Sequence, residues 1–233
     1  MVHFGIQPFV WNDRVKEKEN MKRNTIGYYD YTVVLTYGGM LCAFFGILQV
    51  LNRHYWAAIL LLLAAGVCDM FDGAVASTKA RTDAEKKFGI QIDSLSDLIS
   101  FGVFPGIFVY VISGKDLFAG MISGLFVLCA LIRLAYFNVL EEERQKTTLE
   151  KRKSYLGIPV TTIAVFLPAV YLLYDRRICE NPACFPLLLL MMGIGYLLPV
   201  EIKKPGLAGK VGLVVLGAFE AIGMLFFAGW GAV

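Results

Sequence analysis

Charged side chains are scarce in this sequence. They make up 18% of its 233 residues, whereas 57% of the residues are hydrophobic and the mean hydropathy is +0.62. A water-soluble domain of this length does not need so many apolar residues, so the composition excludes a soluble globular class. Several uninterrupted apolar runs have the length, roughly 17 to 25 residues, that crosses a bilayer as a helix. The chain is therefore predicted to be a polytopic membrane protein.

Histidine is also scarce, and the cysteines do not form a metal-binding motif. The chain has two histidines and five cysteines, and no cysteine has the spacing of a zinc or redox motif. Three cysteines lie in apolar runs, where they are interpreted as small core residues. Cys179 and Cys184 share a short connection between two apolar runs. Either a disulfide or a reduced pair is compatible with that position.

Seven apolar segments are predicted to cross the membrane as helices, because backbone groups in lipid must be paired within their own segment. They are Tyr31–Leu51, Tyr55–Ala76, Asp93–Ser113, Leu117–Leu140, Ile158–Tyr174, Phe185–Val200 and Val211–Gly231. Strand alternation is absent. The predicted fold class is all-α, a polytopic integral membrane bundle of six to seven transmembrane helices. Residues 1–30 are predicted to be a cytoplasmic or interfacial segment, and residues 31–233 a single transmembrane domain.

The distribution of basic residues predicts the orientation. With a cytoplasmic N-terminus, 17 of the 22 lysine and arginine residues fall on the cytoplasmic side and four fall outside. The remaining one, Arg133, lies within the fourth span. Cytoplasmic connections carry such an excess in membrane proteins. The basic residues are interpreted as topology signals and contacts with membrane lipids, and no nucleic-acid partner is predicted.

Four aspartates lie beside two very apolar segments. Asp69 and Asp72 are three residues apart near the end of the second span, and Asp93 and Asp97 are four apart at the start of the third. Spacings of three and four place side chains on one face of a helix. The polar segment from residue 77 to 89 can turn the chain, so the four carboxylates are predicted to converge on the cytoplasmic side.

Clustered carboxylates in a membrane helix require neutralisation. Each one costs roughly 2.5–3.5 kcal/mol on insertion scales, and neighbouring ones repel. Hard oxygen ligands suit Mg²⁺, Mn²⁺ or Ca²⁺, and two such ions would balance four carboxylates. Sites with two metal ions commonly support displacement at phosphate. The alternative from spacing alone is that the acids are solvated helix ends in the headgroup region. Small residues beside the aspartates, including Gly73 and Gly89, favour a pocket for a bulky diphosphate.

These residues resemble the signature of the CDP-alcohol phosphatidyltransferase family, D-x-x-D-G-x-x-A-R followed by G-x-x-x-D-x-x-x-D. The matching positions are Asp69, Asp72, Gly73, Ala76, Gly89, Asp93 and Asp97. Ser77 stands where the family has arginine, and Lys79 and Arg81 lie nearby. On a continued helix, Arg81 would lie about 40° further round than Ser77. Arg81 or Lys79 is therefore expected to supply the missing positive charge.

Further blocks resemble the branch of the family that makes phosphatidylserine. They are "YYDYTVVLTYGG", "DSLSDLISFGVFP", "RLAYFN" and "YLGIPVT". The resemblance implies that the L-serine hydroxyl attacks the phosphorus of CDP-diacylglycerol that bears diacylglycerol, giving phosphatidylserine and CMP. It also implies two divalent metal ions, Mg²⁺ or Mn²⁺ with Ca²⁺ as another occupant, and a homodimer.

The resemblance assigns roles residue by residue. Metal ligands would be Asp69, Asp72, Asp93 and Asp97, and Asp97 would also be the general base toward the serine hydroxyl. The nucleotide and diphosphate would contact Asp69, Gly73, Ala76, Ser77, Arg81, Gly89 and Thr36. The acceptor or its phosphate would contact Arg133, Asn138 and Lys79.

Other readings stay open at this point. The same chemistry could use glycerol phosphate, inositol phosphate or another alcohol. A divalent cation transporter would also need an acidic cluster, although these acids lie at one membrane face. Ser77 raises the possibility of an inactive family member. Arg133 could instead form a structural ion pair with Glu220.

Overall fold

The computed structural model describes residues 26–29, 31–147, 154–203 and 206–228. Most of the interfacial segment predicted over residues 1–30 lies outside these ranges. The chain folds as a helical bundle whose first element is preceded by a 3₁₀ turn at Tyr31–Val33. The helices are α1 (Val34–Leu51), α2 (Tyr55–Ala76), α3 (Asp83–Asp97), α4 (Phe104–Ile112), α5 (Leu117–Thr147), α6 (Ile163–Asp175), α7 (Cys184–Leu197) and α8 (Leu207–Ala228).

The lengths and compositions of these helices confirm an integral membrane bundle of the all-α class. Four continuous helical stretches are long and apolar enough to cross a bilayer: Tyr31–Leu51, Tyr55–Ala76, Asp83–Ile112 and Leu117–Arg144. Helix α8 has 22 residues, which at the rise of an α-helix is about 33 Å. Helices α6 and α7 are shorter, with 13 and 14 residues.

The third helical stretch begins ten residues earlier than the predicted span, at Asp83 instead of Asp93. The cause is a capping box. The Thr82 hydroxyl accepts from the backbone N–H of Glu85, and the Glu85 carboxylate accepts from the backbone N–H of Thr82. This reciprocal pairing satisfies two of the donors that every helix N-terminus leaves open. The connection between the second and third spans is therefore short, from residue 77 to 82.

Helices α3 and α4 form one rod through a π-helical segment, Leu98–Val103. A π turn widens the helix by one residue per turn and is frequent at functional sites. Within this segment Phe101 is buried, and Phe104 follows it at the start of α4. The rod therefore enters the core directly after Asp97.

Besides the helices, the structure contains one short antiparallel strand pair, β1 (Ser154–Leu156) and β2 (Glu201–Lys203). Tyr155 pairs with Ile202 at its centre. The pair joins the connection after α5 to the connection after α7. Both connections were predicted to lie on the cytoplasmic side, and the pairing places them on one face of the bundle.

The core is built from aromatic and branched side chains of α2, α4, α5, α6 and α7. Its largest fully buried side chains are Phe101, Phe104, Phe108, Phe126 and Phe185. Helix α1 approaches α4 closely at Gly46, where a Cβ atom would collide with the ring of Phe104. Close packing of this kind holds α1 against the π-helical rod.

Candidate functional site

Three helices bring the carboxylates together. Helix α1 packs against both α2 and α3, so the last turns of α2 face the last turns of α3. Asp69, Asp93 and Asp97 each offer one carboxylate oxygen, and these three oxygens lie within 4.8 Å of one another. The predicted convergence is thus present for these three residues.

The fourth aspartate is held by α1. The Thr36 hydroxyl donates to Asp72 Oδ2 over 3.1 Å, and the Ser96 hydroxyl donates to the backbone oxygen of Thr36 over 3.3 Å. Thr36 is buried and sits between the two aspartate-bearing helices. The family resemblance assigns Thr36 to the nucleotide. In the structure it ties α2 to α3 through α1.

The carboxyl groups lie close enough to repel one another when ionised. The oxygens of Asp69, Asp93 and Asp97 lie within 4.8 Å of one another, and Asp72 lines the same cavity. Such a cluster requires neutralisation by protons or by a cation. Carboxylate and hydroxyl oxygens are the ligands that Mg²⁺, Mn²⁺ and Ca²⁺ prefer. The donor set therefore fits a divalent cation, and the identity and number of ions stay predictions.

A small cavity lies among the carboxylates. Its volume is about 10 Å³, close to the minimum that one water molecule needs. Polar side chains of three helices line one part of it, and the apolar part is lined by Leu35, Gly39, Ala65 and Phe101. Space for a ligand larger than an ion or a water must therefore come from the exposed side of the aspartates.

The exposed side is open at the first half of the signature. Gly73 is exposed, and a Cβ atom added there would meet nothing within 4 Å. Ala76 is half-buried and ends α2. These small residues leave room beside Asp72 for a bulky group.

The structure corrects the expectation that the helix continues past Ser77. Helix α2 ends at Ala76, and the Ser77 hydroxyl donates to the backbone oxygen of Ala74 over 2.7 Å. Arg81 therefore lies in the connection and not one helical turn beyond Ser77. Its guanidinium nevertheless reaches the second half of the signature, since its Nη1 would lie 3.0 Å from a Cβ atom at Gly89.

Two other predicted contact residues are engaged within the protein. The Lys79 ammonium lies 3.7 Å from the Glu85 carboxylate. The Ser94 hydroxyl donates to Asn138 Oδ1 over 2.8 Å, which ties α5 to α3 beside Asp93. Both residues thus lie near the aspartate-bearing helices.

Arg133 does not line the cavity among the carboxylates. It is 8% exposed and lines a separate groove of about 270 Å³ between α5 and the end of α7. Tyr196 borders the same groove. The ion pair suggested between Arg133 and Glu220 is absent among the described residues. Glu220 is buried on α8, where its Oε2 has no hydrogen-bond partner among them.

Two serines at this site were missed by sequence reasoning. Ser96 and Ser100 line the cavity together with Asp93 and Asp97. The four follow one another at spacings of three, one and three, which is the pattern of a single helix face. That pattern in "DSLSDLIS" was the available signal.

Comparison with known proteins places this site within a family pattern. A profile described as CDP-alcohol phosphatidyltransferase matches residues 32–200. A CDP-diacylglycerol–serine O-phosphatidyltransferase of Saccharomyces cerevisiae is 37% identical over 131 residues, which are 55% of this chain and 46% of the yeast protein. An archaetidylserine synthase of Methanothermobacter thermautotrophicus is 36% identical over 167 residues, 71% of this chain and 65% of its own. A CDP-diacylglycerol–serine O-phosphatidyltransferase of Bacillus subtilis is 26% identical over 174 residues, 74% of this chain and 88% of its own.

The match covers about half of the yeast protein and just under two thirds of the archaeal one, at 46% and 65%. Within this chain, the profile runs from the turn before α1 to the end of α7, so it includes all four aspartates and the connection that carries Arg81. Because the profile matches most of the chain and contains the whole site, the chain belongs to the CDP-alcohol phosphatidyltransferase family.

Proposed function

We propose that the chain transfers the phosphatidyl group of CDP-diacylglycerol to the hydroxyl of L-serine, giving phosphatidylserine and CMP. The observation that carries the chemistry is the convergence of Asp69, Asp93 and Asp97, whose carboxylate oxygens lie within 4.8 Å of one another. The acceptor is supported by the names of the yeast and Bacillus relatives.

Asp97 is the proposed general base. It ends α3 directly before the π-helical segment, and its carboxylate oxygen lies within 4.8 Å of those of Asp69 and Asp93. It takes the proton of the serine hydroxyl as the serine oxygen attacks the phosphorus that bears diacylglycerol. The new oxygen–phosphorus bond replaces the bond to the CMP oxygen, and CMP leaves. A hydroxyl is a poor nucleophile at neutral pH, so a base in hydrogen-bonding reach raises the rate.

The aspartates are also the proposed cation ligands. Divalent cations held by Asp69, Asp72, Asp93 and Asp97, two Mg²⁺ or Mn²⁺ ions with Ca²⁺ as another occupant, would neutralise the carboxylates and the diphosphate oxygens. The Thr36 hydroxyl orients Asp72 for this role. Fixing a ligand through a neighbouring donor is a general feature of metal sites.

The diphosphate is proposed to lie on the exposed side of the aspartates. Gly73 leaves open space there, and the Arg81 guanidinium over Gly89 supplies positive charge. Guanidinium groups bind phosphate through two parallel hydrogen bonds. Ala76 and Ser77 complete the proposed nucleotide side.

The serine is proposed to approach from the side of α5. Asn138 lies there beside Ser94, and Arg133 offers a guanidinium one to two turns deeper. Lys79 is proposed to act at the entrance. The homodimer and the cytoplasmic position of the site belong to the same proposal.

The test is CMP release by purified protein in detergent. CDP-diacylglycerol and Mg²⁺ or Mn²⁺ are present, and L-serine, glycerol 3-phosphate or inositol phosphate is supplied separately. Release is expected with serine. In the Asp97→Asn variant we expect a loss of about 10² to 10⁴ in rate, the range of general acid–base catalysis.

Asp83→Asn is the matched control, since Asp83 lies on the same helix and its side chain is 93% exposed. It should retain the wild-type rate. Release with another acceptor alone would contradict the serine assignment and leave the chemistry. Absence of release with every acceptor would contradict the enzyme, and cation uptake by proteoliposomes would then favour the transporter.

A further inference from the structure

The hydroxyl of Ser100 is buried at the site and has no hydrogen-bond partner within the described part of the chain. Ser100 is 2% exposed, and its Oγ has no hydrogen-bond partner among the described residues. Burying a hydroxyl without a hydrogen-bond partner destabilises the folded state, because the hydroxyl loses its hydrogen bonds to water. Where such a hydroxyl also borders a cavity lined by metal-ligating groups, it is available to a ligand in that cavity.

The Ser100 hydroxyl borders the cavity among the aspartates. Its neighbour one turn earlier, Ser96, has its hydroxyl committed to the backbone oxygen of Thr36. Ser100 lines the same cavity from the π-helical segment and is itself buried. It is therefore the hydroxyl that remains available to something inside the cavity.

The size of the cavity limits what that ligand is. A volume of about 10 Å³ admits an ion or one water molecule and excludes serine or a phosphate group. The neighbouring walls at Gly39, Ala65 and Phe101 offer no polar side-chain atom. A ligand in the cavity would therefore be bound by the Ser100 oxygen and the aspartate oxygens.

We propose that Ser100 Oγ completes the coordination of the divalent cation at this site, either as a direct ligand or through one cation-bound water. The inference rests on the cation site of the proposed function and adds to it a neutral oxygen from the membrane side. Hard cations combine hydroxyl, water and carboxylate oxygens readily. Ser100 acts on the cation and is a positioning residue for the reaction.

The experiment measures cation binding without substrate. Purified protein in detergent is titrated with Mn²⁺, and free Mn²⁺ is followed by electron paramagnetic resonance. We expect Ser100→Ala to weaken Mn²⁺ binding by about 10- to 100-fold, the range found when supporting groups of metal sites are removed.

Ser123→Ala is the matched control. Ser123 on α5 is also buried, at 6% exposed, and its Oγ also has no hydrogen-bond partner among the described residues, but it does not line the cavity. It should bind Mn²⁺ as the wild type does. Neither alanine strands a partner group within the described residues, so both variants should keep the wild-type unfolding temperature in the absence of metal.

A Ser100→Cys variant separates the two forms of the proposal. A thiolate is a soft ligand, so direct coordination predicts weaker Mn²⁺ binding and tighter Cd²⁺ binding, whereas coordination through water predicts weaker Mn²⁺ binding alone. This variant also keeps the test available if the alanine variant fails to fold.

Two results would overturn the inference, and they differ. If the wild type binds Mn²⁺ and both Ser100 variants bind it equally well, Ser100 has no part in the site while the proposed function stands. If the wild type itself binds no Mn²⁺, the cation site of the proposed function fails, and the inference fails with it.

Discussion

At the scale of single residues, Arg81 is proposed to supply the positive charge that binds the diphosphate. Its guanidinium lies over Gly89, within the second half of the family signature, although it starts from the connection after α2. A hydrogen bond to a charged group contributes roughly 1.5–3 kcal/mol, which is about 10- to 100-fold in affinity. Arg81→Ala should therefore raise the KM for CDP-diacylglycerol by about that factor in the CMP-release assay, with a smaller change in kcat.

Lys86→Ala is the control for this prediction. Lys86 is a cation on the exposed face of α3 whose ammonium lies 3.4 Å from Asp83. It should leave KM unchanged. Adding Ser77→Arg to the Arg81→Ala variant restores the family arginine and should recover part of the loss. An Arg81→Ala enzyme with wild-type KM would mean that the diphosphate binds elsewhere.

Thr36 is the second residue whose effect can be isolated. Its hydroxyl donates to Asp72 while its backbone oxygen accepts from Ser96. Thr36→Val keeps the shape and the backbone contact but removes the donor. The concentration of Mg²⁺ or Mn²⁺ needed for half-maximal CMP release should rise by about tenfold, as is typical when a supporting hydrogen bond to a metal ligand is lost.

Thr162→Val tests whether the loss of any threonine hydroxyl has this effect. Thr162 donates to the backbone oxygen of Pro159 and is not among the residues that line the cavity among the carboxylates. Its metal requirement should match the wild type. If the two valine variants require the same metal concentration, the Thr36 hydroxyl does not support Asp72 as a metal ligand.

The aspartates could be predicted from the sequence, whereas their supports could not. Spacings of three and four on two helices are properties of short segments, so Asp69 and Asp97 were recognisable. The contact of Thr36 with Asp72 joins residues 36 positions apart. It depends on how α1 packs, which no local pattern reports. The suggested Arg133–Glu220 ion pair is absent from the described residues for the same reason. Both residues lie within predicted spans, but depth in the membrane does not determine which helices are neighbours.

At the scale of elements, the start of α3 determines where Asp93 and Asp97 stand. The capping box of Thr82 and Glu85 fixes that start. Removing an N-cap hydroxyl destabilises a protein by about 1 kcal/mol, and for a chain of this size that corresponds to roughly 2–4 °C in Tm. Thr82→Ala should lower Tm in detergent by that amount, measured by thermal unfolding of the metal-free protein.

Thr82→Ser supplies the comparison, because serine retains the accepting oxygen and caps helices at least as well. It should unfold at the wild-type temperature. If Thr82→Ala also unfolds at the wild-type temperature, tertiary packing fixes the start of α3 and the capping box does not contribute to stability.

The elements that sequence reasoning misplaced have a common cause. Hydropathy is judged over windows of about 19 residues, so the polar residues of α3 before Asp93 were assigned to a connection. The T-x-x-E pattern at Thr82 was legible and marks the true start. The β1–β2 pair joins segments that are far apart in the chain, and no local sequence pattern marks the π-helical segment. Apolar length predicts α1 and α2 well because lipid sets it.

At the scale of the whole molecule, the fold constrains which connections share a membrane face. The β1–β2 pair joins the connections after α5 and α7, and the aspartates stand where the connection between α2 and α3 turns. The excess of basic residues in these connections favours the cytoplasm for that face. The connection between α6 and α7, with free Cys179 and Cys184, then belongs outside.

Cysteine labelling in intact cells tests this orientation. In a variant whose five native cysteines are replaced, single cysteines are introduced as Glu180→Cys and Asp83→Cys, both at exposed positions. A maleimide that cannot cross the membrane should label the cysteine at 180 in intact cells. It should label the cysteine at 83 only after permeabilisation, because residue 83 begins α3 at a connection that the basic residues assign to the cytoplasm. The reverse pattern would place the aspartates on the outer face and contradict the proposed orientation. Labelling of both positions in intact cells would mean that the two connections share a face, and it would contradict the prediction that three spans separate them.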